Sequence, residues 1–335
     1  MPLGVGPFLT EHKMKKILLS LLMIPALAFA QWQPTKPIEA ILAWTPGSVN
    51  ELTFRVLARE VEQNTGAKFI VINKPGAGGV LGTEELSKRP ADGYAVTVVS
   101  IPGIGAMDKI QVPEFGKGRS YTTDSFIYPT HVAQSPFAVI AHPSDTVKTP
   151  KQFVEAIKTE KATIAAVGGA RLVYEALVDR LKLTEDQRLV RVEHKGPVDS
   201  LNDVAGGHVR FAIIPSVVAN SFYQAGKVNI VALSGPPPMR QLPGTGLLGD
   251  ALPGFDISGA WALMIPAGSP PEVVAWYQKE FTKALKSDAV KTIYYDNLLL
   301  ERTDLQNPDA FKTWLKAREK QWQPLVDNVL IKINK

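Results

Sequence analysis

Short apolar runs alternate with amphipathic stretches from residue 38 to residue 233, and this alternation constrains the fold more than any other feature of the chain. Residues 38–44, bounded by Pro37 and Pro46, have the length and composition of a buried strand. In the stretch that follows, Phe54, Leu57, Ala58 and Val61 recur at helical spacing, while Arg55, Arg59, Glu62 and Gln63 fall on the other side. Asn50 is the expected N-cap and Gly66 the stop. A strand at 68–72, a glycine-rich turn, a helix near 83–88 and a strand at 95–99 complete a β-α-β-α-β unit, the pattern of a parallel sheet covered by helices. The middle of the chain repeats the pattern, with strands at 137–141, 163–167, 189–193, 210–214 and 229–233. Helices are expected between them near 150–158, 170–181, 198–204 and 217–224. A Pro/Gly-rich stretch at 235–246 reads as a surface loop, and residues 257–265 as a strand. After Pro270-Pro271 the chain reads as helical, with Val274, Tyr277, Phe281 and Leu285 on one face and Phe311, Trp314, Leu315 and Trp322 on another.

Residues 14–30 hold Lys15-Lys16, an apolar run and Ala28-Phe29-Ala30, the three parts of a secretory signal peptide cleaved after Ala30. The apolar run is too short to span a bilayer. Residues 1–13 carry no pattern and read as an upstream extension. About 305 residues remain of 335, more than one hydrophobic core usually supports. Two lobes are therefore expected, 31–133 plus 256–335 and 134–255, joined by two crossings. Removing residues 1–30 lowers the net charge from +5 to +3. The basic residues are scattered, which argues against a nucleic-acid partner. The absence of cysteine excludes a thiol nucleophile, a Cys-zinc site and disulfides. His131, His142, His194 and His208 lack metal-ligand spacing, Asp199 and Asp203 read as a solvated helix face, and no HExxH or G-x-S-x-G occurs. No metal, no cofactor and no catalytic residue is expected.

Three strand-to-helix junctions have small, backbone-exposing residues: Thr45-Pro46-Gly47-Ser48-Val49-Asn50, Asn73-Lys74-Pro75-Gly76-Ala77-Gly78-Gly79 and Val167-Gly168-Gly169-Ala170. In a parallel sheet such junctions lie at the carboxyl ends of strands, where ligands bind, and each helix start offers unpaired N–H groups and a positive dipole end. An anion suits them; tight turns without a ligand are the other reading. The run from Gly76 to Gly82 also fits G-x-G-x-x-x-G, but the next strand ends Val98-Val99-Ser100, without the acid that a ribose needs. A nucleotide-binding protein and an exported α/β enzyme acting on an organic acid stay as alternatives to a binding protein.

Taken in order, these residues resemble the Bug receptors, the periplasmic substrate-binding component of tripartite tricarboxylate transporters. The resemblance runs through Pro46-Gly47 and Arg55, Asn73-Lys74-Pro75-Gly76-Ala77-Gly78-Gly79, Asp92-Gly93-Tyr94 and Asp124-Ser125-Phe126. It continues through His194-Lys195-Gly196, Leu201-Asn202-Asp203, Ala225-Gly226-Lys227, Leu242-Pro243, Trp261 and Pro266-Ala267-Gly268-Ser269-Pro270. It implies a type II-like Venus-flytrap fold, each lobe a mostly parallel sheet flanked by helices, closing on a small carboxylate held by backbone amides. By the same resemblance Thr45, Pro46, Gly47, Ser48, Val49 and Asn50 with Asn73, Gly76, Ala77, Gly78 and Gly79 line one wall. Ser100, Pro102 and Gly103 lie at the hinge side, and Gly168, Gly169, Arg171, Lys195, Gly196 and Pro215 on the opposite lobe. The implied protein is a periplasmic monomer, with integral-membrane transporter subunits as its partners where a cognate transporter exists.

The chain departs from that pattern at Val49 and Glu51 in the first loop, at Arg171, at Glu193-His194 and at Arg210. Arg171, at a helix start, is expected either to reach a second ligand carboxylate or to remain a surface arginine.

Overall fold

Ile38, Ala40, Ile41 and Leu42 of β1 (Ile38–Leu42) are all fully buried, as befits a parallel strand covered on both faces. The computed structural model describes residues 1, 32–76, 79–101, 120–183, 189–194, 196–235, 242 and 244–333, the last six by backbone alone. The expected signal peptide and its cleavage site lie outside the described residues. Gln33–Lys335 makes up one compact unit. Among the described residues no helix is long and apolar enough to cross a membrane.

From β1 the chain enters α1 (Val49–Thr65), which stops at Gly66 with φ 77° and its N–H on the Glu62 carbonyl. Phe54, Leu57, Ala58 and Val61 are its buried stripe, as their spacing requires. The N-cap is Ser48, whose hydroxyl accepts the Glu51 N–H, and not Asn50. Asn50 has been drawn inward by partners far away in sequence. β2 (Phe69–Asn73), α2 (Val80–Ser87) and β3 (Ala95–Ser100) follow, and β1 pairs parallel with both strands.

A short β4 (Phe126–Ile127), which the alternation does not reveal, precedes β5 (His131–Ala141). β5 is longer than its apolar tail at 137–141 suggests and is buried throughout. The second series is α3 (Pro150–Thr159), β6 (Ala162–Ala166), α4 (Ala170–Leu181), β7 (Leu189–Val192), α5 (Pro197–Ala205), β8 (Phe211–Pro215), α6 (Ser216–Gln224) and β9 (Asn229–Leu233). A one-turn α7 (Leu248–Ala251), β10 (Ser258–Pro266), α8 (Pro271–Leu285), α9 (Asp288–Asp296) and α10 (Pro308–Ile333) complete the chain.

The hydrogen-bonded order is β2-β1-β3-β10-β5-β8-β6-β7, with β4 beside β10 and β9 beside β5. Two parallel groups, β2-β1-β3 and β8-β6-β7, thus stand at the ends of one curled sheet. The antiparallel strands β10 and β5 join them. β5 changes partner along its length: Ala133 faces Trp261 of β10, whereas Phe137 faces Pro215 of β8 and Ala138 faces Leu233 of β9. Pro136, which has no N–H to give a ladder, sits at the exchange.

Helix α8 packs on α1, where the rings of Phe54, Phe69 and Phe281 meet with centroids 5.5, 5.9 and 6.3 Å apart. Each such ring taken from water contributes roughly 2–3 kcal/mol. The buried face of α8 is Val273, Trp276, Tyr277 and Phe281, so Val274 turns out one position off the expected stripe. Helix α10 also reaches α4: Leu315, Trp322 and Val326 share a core with Leu172, Val173 and Leu177. The segment after Pro271 therefore covers both ends of the sheet. Arg210, a departure from the family pattern, bonds Asp145 (2.9 Å) and Glu160 (2.5 Å) and is raised in pKa chiefly by the Asp145 bond. It serves as a tie within the second series.

Candidate functional site

The carboxyl ends of β1, β6, β7 and β8, with β3, β5 and β10, surround one cavity of about 720 Å³. On the first side, Thr45, Pro46, Gly47, Ser48, Val49 and Asn50 all line it, joined by Gly76 and Ser100. On the second side Gly168, Gly169, Gly196 and Pro215 line it. Of the expected site residues, Asn73, Gly79 and Arg171 are not on the wall. Ala77, Gly78, Pro102, Gly103 and Lys195 lie outside the described residues.

Each exception has a local cause. Asn73 donates its side-chain N–H to the Trp44 carbonyl at 3.0 Å and so fastens the two loops of the first side together. Gly79 caps α2 with φ 101° and lies against the Trp44 ring, 3.3 Å from whose Nε1 a Cβ on it would stand. Gly82, in the same motif, is a packing glycine: a Cβ there would lie 2.6 Å from the Ala43 Cα. Arg171 points along its own helix, with Nε 3.2 Å from Glu175 Oε1. Burial and the neighbouring Arg191 lower its pKa against the pull of Glu175. It sits largely covered on the flank of α4, neither in the cavity nor on an open surface.

The first loop is organised by two side chains. Glu51, buried at the start of α1, accepts the Gly47 N–H at 2.8 Å on one oxygen and Arg55 Nε at 2.6 Å on the other. The Gly47 amide, expected to face a ligand, is therefore occupied by the chain's own carboxylate. Asn50 donates to the Val98 carbonyl at 2.8 Å and accepts the Trp261 indole N–H at 3.0 Å, joining α1 to β3 and β10. With Glu51 N–H on Ser48, the N–H groups of Val49 and Asn50 meet no acceptor among the described residues.

The second side is built from main chain. The N–H groups of Ala170, Arg171 and Leu172 bend back to the carbonyls of Val167, Gly168 and Gly169. Gly168 and Gly169 are left with N–H groups that meet no acceptor among the described residues. Pro197 opens α5 without an N–H, and Gly196 caps that helix with no side chain. His194 Nε2 lies 2.6 Å from Asp203 Oδ2, so Asp203 is a partner and not part of a merely solvated face.

Several wall residues were not foreseen. Pro75, Val167 and His194 fall within the motifs already noted, and Trp44 precedes its loop by one residue. Pro197, Val198 and Asp199 follow from the start of α5 lying at the cavity. Phe137, Val218 and Trp261 come from β5, α6 and β10; periodicity does not tell which face of a crossing strand meets a cavity. Among the described residues no cluster of three or more His, Asp or Glu side chains is placed to hold a metal ion.

The family model described as "Tripartite tricarboxylate transporter family receptor" matches residues 53–329. Among curated proteins, BugT of Bordetella pertussis is 25% identical over 272 residues, covering 80% of this chain and 82% of its own. A Cupriavidus necator protein named for the gbd 5' region is 24% identical over 80% of each chain. Among solved structures, periplasmic binding protein BugD superposes with a TM-score of 0.77 at 23% identity, over 89% of this chain and 98% of BugD. MatC of Rhodopseudomonas palustris with bound malate gives 0.76 at 21% identity, over 88% of this chain and all of MatC. An R. palustris protein with adipate gives 0.79 at 19% identity, over 89% and 98%. These likenesses establish the two-lobed periplasmic-binding-protein fold.

Proposed function

We propose that this chain, which belongs to the tripartite tricarboxylate transporter receptor family, captures a small carboxylate between its two lobes and delivers it to integral-membrane transporter subunits. Receptors of this family are periplasmic solute-binding proteins; among the solved neighbours BugD is described as a periplasmic binding protein and a Polaromonas protein as a TctC solute binding protein. The observation that carries the reading is the convergence of strand-to-helix turns from both ends of the sheet on one cavity. Solved neighbours hold malate and adipate, both carboxylates.

In this reading the lobes are 31–133 with 256–335 and 134–255. The first boundary falls inside β5, three residues before Pro136, where that strand exchanges β10 for β8 and β9. The carboxylate accepts hydrogen bonds from Val49 and Asn50 N–H at the start of α1 and from Gly168 and Gly169 N–H on the facing turn. Charged bonds of this kind contribute about 1.5–3 kcal/mol each. The positive end of the α1 dipole adds to them.

Thermal unfolding of the protein in a panel of carboxylic acids tests the reading. A bound acid at 100 times its dissociation constant raises stability by about 2.7 kcal/mol, with the acid recovered unchanged. No stabilisation by any acid, or conversion of the acid to product, would overturn it. The intact mass of the exported protein checks localisation: a chain beginning at Gln31 is expected.

A further inference from the structure

Trp44 follows the end of β1, and its main chain is fastened to the first side of the cavity. Its carbonyl accepts the Asn73 side-chain N–H at 3.0 Å, and the Lys74 N–H bonds the Leu42 carbonyl at 2.8 Å. The indole lies against a turn of that same side: a Cβ built on Gly79 would stand 3.3 Å from Nε1 and 3.5 Å from Cε2. The far edge of the ring reaches the other side, where a Cβ built on Gly168 would stand 3.2 Å from Cη2 and 3.6 Å from Cζ2. One edge of the indole therefore rests on its own lobe and the opposite edge on the facing lobe. Both seats are bare backbone. Gly79 and Gly168 have φ of 101° and 59°, where an L side chain is strained, so nothing grows from either turn to displace the ring.

The crossing strands β5 and β10 join the two sides through the sheet in any arrangement of the lobes. The contact of Trp44 with Gly168 is of another kind. It joins the turn after β1 to the turn after β6, and both residues belong to the cavity wall. Moving the lobes apart breaks it and gives one edge of the indole back to water, at the cost of its apolar and dispersion contacts. The seat on Gly79 lies within one lobe and survives that motion, as does the Asn73 bond to the main chain. The ring is thus held ready at the position from which it meets Gly168 again.

We infer that Trp44 is a latch between the lobes: anchored on the Gly79 turn, it closes on the bare Gly168 turn, and it biases the protein toward the joined form. Opening the cavity to solute exchange releases it. The inference rests on the two-lobed fold and the place of the ring, not on what the cavity binds. Its test therefore uses no ligand, and it can fail while the carboxylate reading stands, or stand while that reading fails.

The chain has no cysteine, so two introduced cysteines carry spin labels at chosen places. Arg59→Cys and Asn202→Cys, both at exposed positions on α1 and α5, put one label on each lobe. Double electron–electron resonance on the dialysed full chain then gives the distances between them, and the parent is expected to populate the distance of this structure. Trp44→Ala should raise the ratio of longer-distance to joined molecules by about tenfold, equivalent to about 1.4 kcal/mol of lost contact. Trp44→Leu keeps an apolar body on the first side but is too short to reach Gly168; it carries the same expectation and serves if Trp44→Ala does not fold. Gly168→Ala keeps the ring and crowds its seat, and should shift the ratio in the same direction. Unchanged circular dichroism in each variant separates opening from unfolding. A parent wholly in the longer-distance form, or a ratio unchanged by the Trp44 substitutions, would overturn the latch. A shift with Trp44→Ala and none with Gly168→Ala would overturn Gly168 as its seat.

Discussion

The two walls of the cavity are made by different means. On the first, side chains fix the backbone: Asn50 reaches Val98 and Trp261, Asn73 reaches Trp44, and Glu51 holds Gly47. On the second, α4 folds its first N–H groups onto its own turn, α5 has no side-chain cap, and the principal side-chain tie is His194 with Asp203. The contrast teaches that a wall can be preorganised by buried amide side chains or left to the main chain of glycine turns. The first wall is fastened by side chains from distant elements, the second by the main chain of its own turns.

The sharpest way to break this comparison is Asn50→Ala. It leaves the Trp261 indole N–H without an acceptor in a buried setting, at about 1–3 kcal/mol, and takes from the Val98 carbonyl the shorter of its two side-chain donors, the other being Thr97 Oγ1 at 3.3 Å. Urea unfolding should show a loss of about 3 kcal/mol; a loss under about 1 kcal/mol would mean the first wall is not held by this residue.

Acid tests the strand that joins the two walls. His131 in β5 is fully buried, and neither ring nitrogen has a hydrogen-bond partner among the described residues. Burial, and secondarily Arg302, lower its pKa from 6.5 to about 3. Above pH 6.5 neither the folded nor the unfolded chain protonates it. As the pH falls below 6.5 the unfolded chain takes up a proton that the folded chain refuses, so stability falls by up to about 1.4 kcal/mol per pH unit until the pH nears 3. Comparing unfolding at pH 7 and pH 5 in the wild type and in His131→Leu measures it; a slope unchanged by the substitution would assign the effect elsewhere.

Two glycines sharpen the contrast further. Gly82→Ala behind the first wall forces a Cβ against the Ala43 backbone and should cost about 2 kcal/mol. Gly196→Ala on the second meets nothing within 4 Å and should change stability by less than about 0.5 kcal/mol. Asp203→Asn should cost less than about 1 kcal/mol, because that carboxylate is 40% exposed. Equal costs at Gly82 and Gly196 in thermal unfolding would erase the difference between the walls.

Much of the fold was legible before any coordinates. Strands with short, mostly apolar runs, such as residues 38–42 and 162–166, and helices with a clean 3.6-residue stripe, such as α1, stand close to where the pattern puts them. The N-cap of α1 is Ser48 and not Asn50 because the two are equally good caps locally, and only the distant Val98 and Trp261 decide between them. The first half of β5, His131 to Pro136, is not legible as a strand because it mixes polar residues and a proline and becomes one only beside β10. Of the site, the small-residue junctions were visible as motifs. The aromatic part of the wall was not, because Phe137 and Trp261 look like ordinary core residues of their strands.

The amino-acid order alone determined that strands and helices alternate, that glycine-rich turns end several strands, and that neither HExxH nor G-x-S-x-G nor any cysteine occurs. These follow from local propensity, periodicity and side-chain chemistry, which need only near neighbours. Tertiary structure decided which turns face one another, that the Gly47 amide is occupied by Glu51, that Arg171 turns to Glu175, and that Trp44 lies between Gly79 and Gly168. Such contacts join residues far apart in the chain, or settle a choice among partners that packing alone resolves.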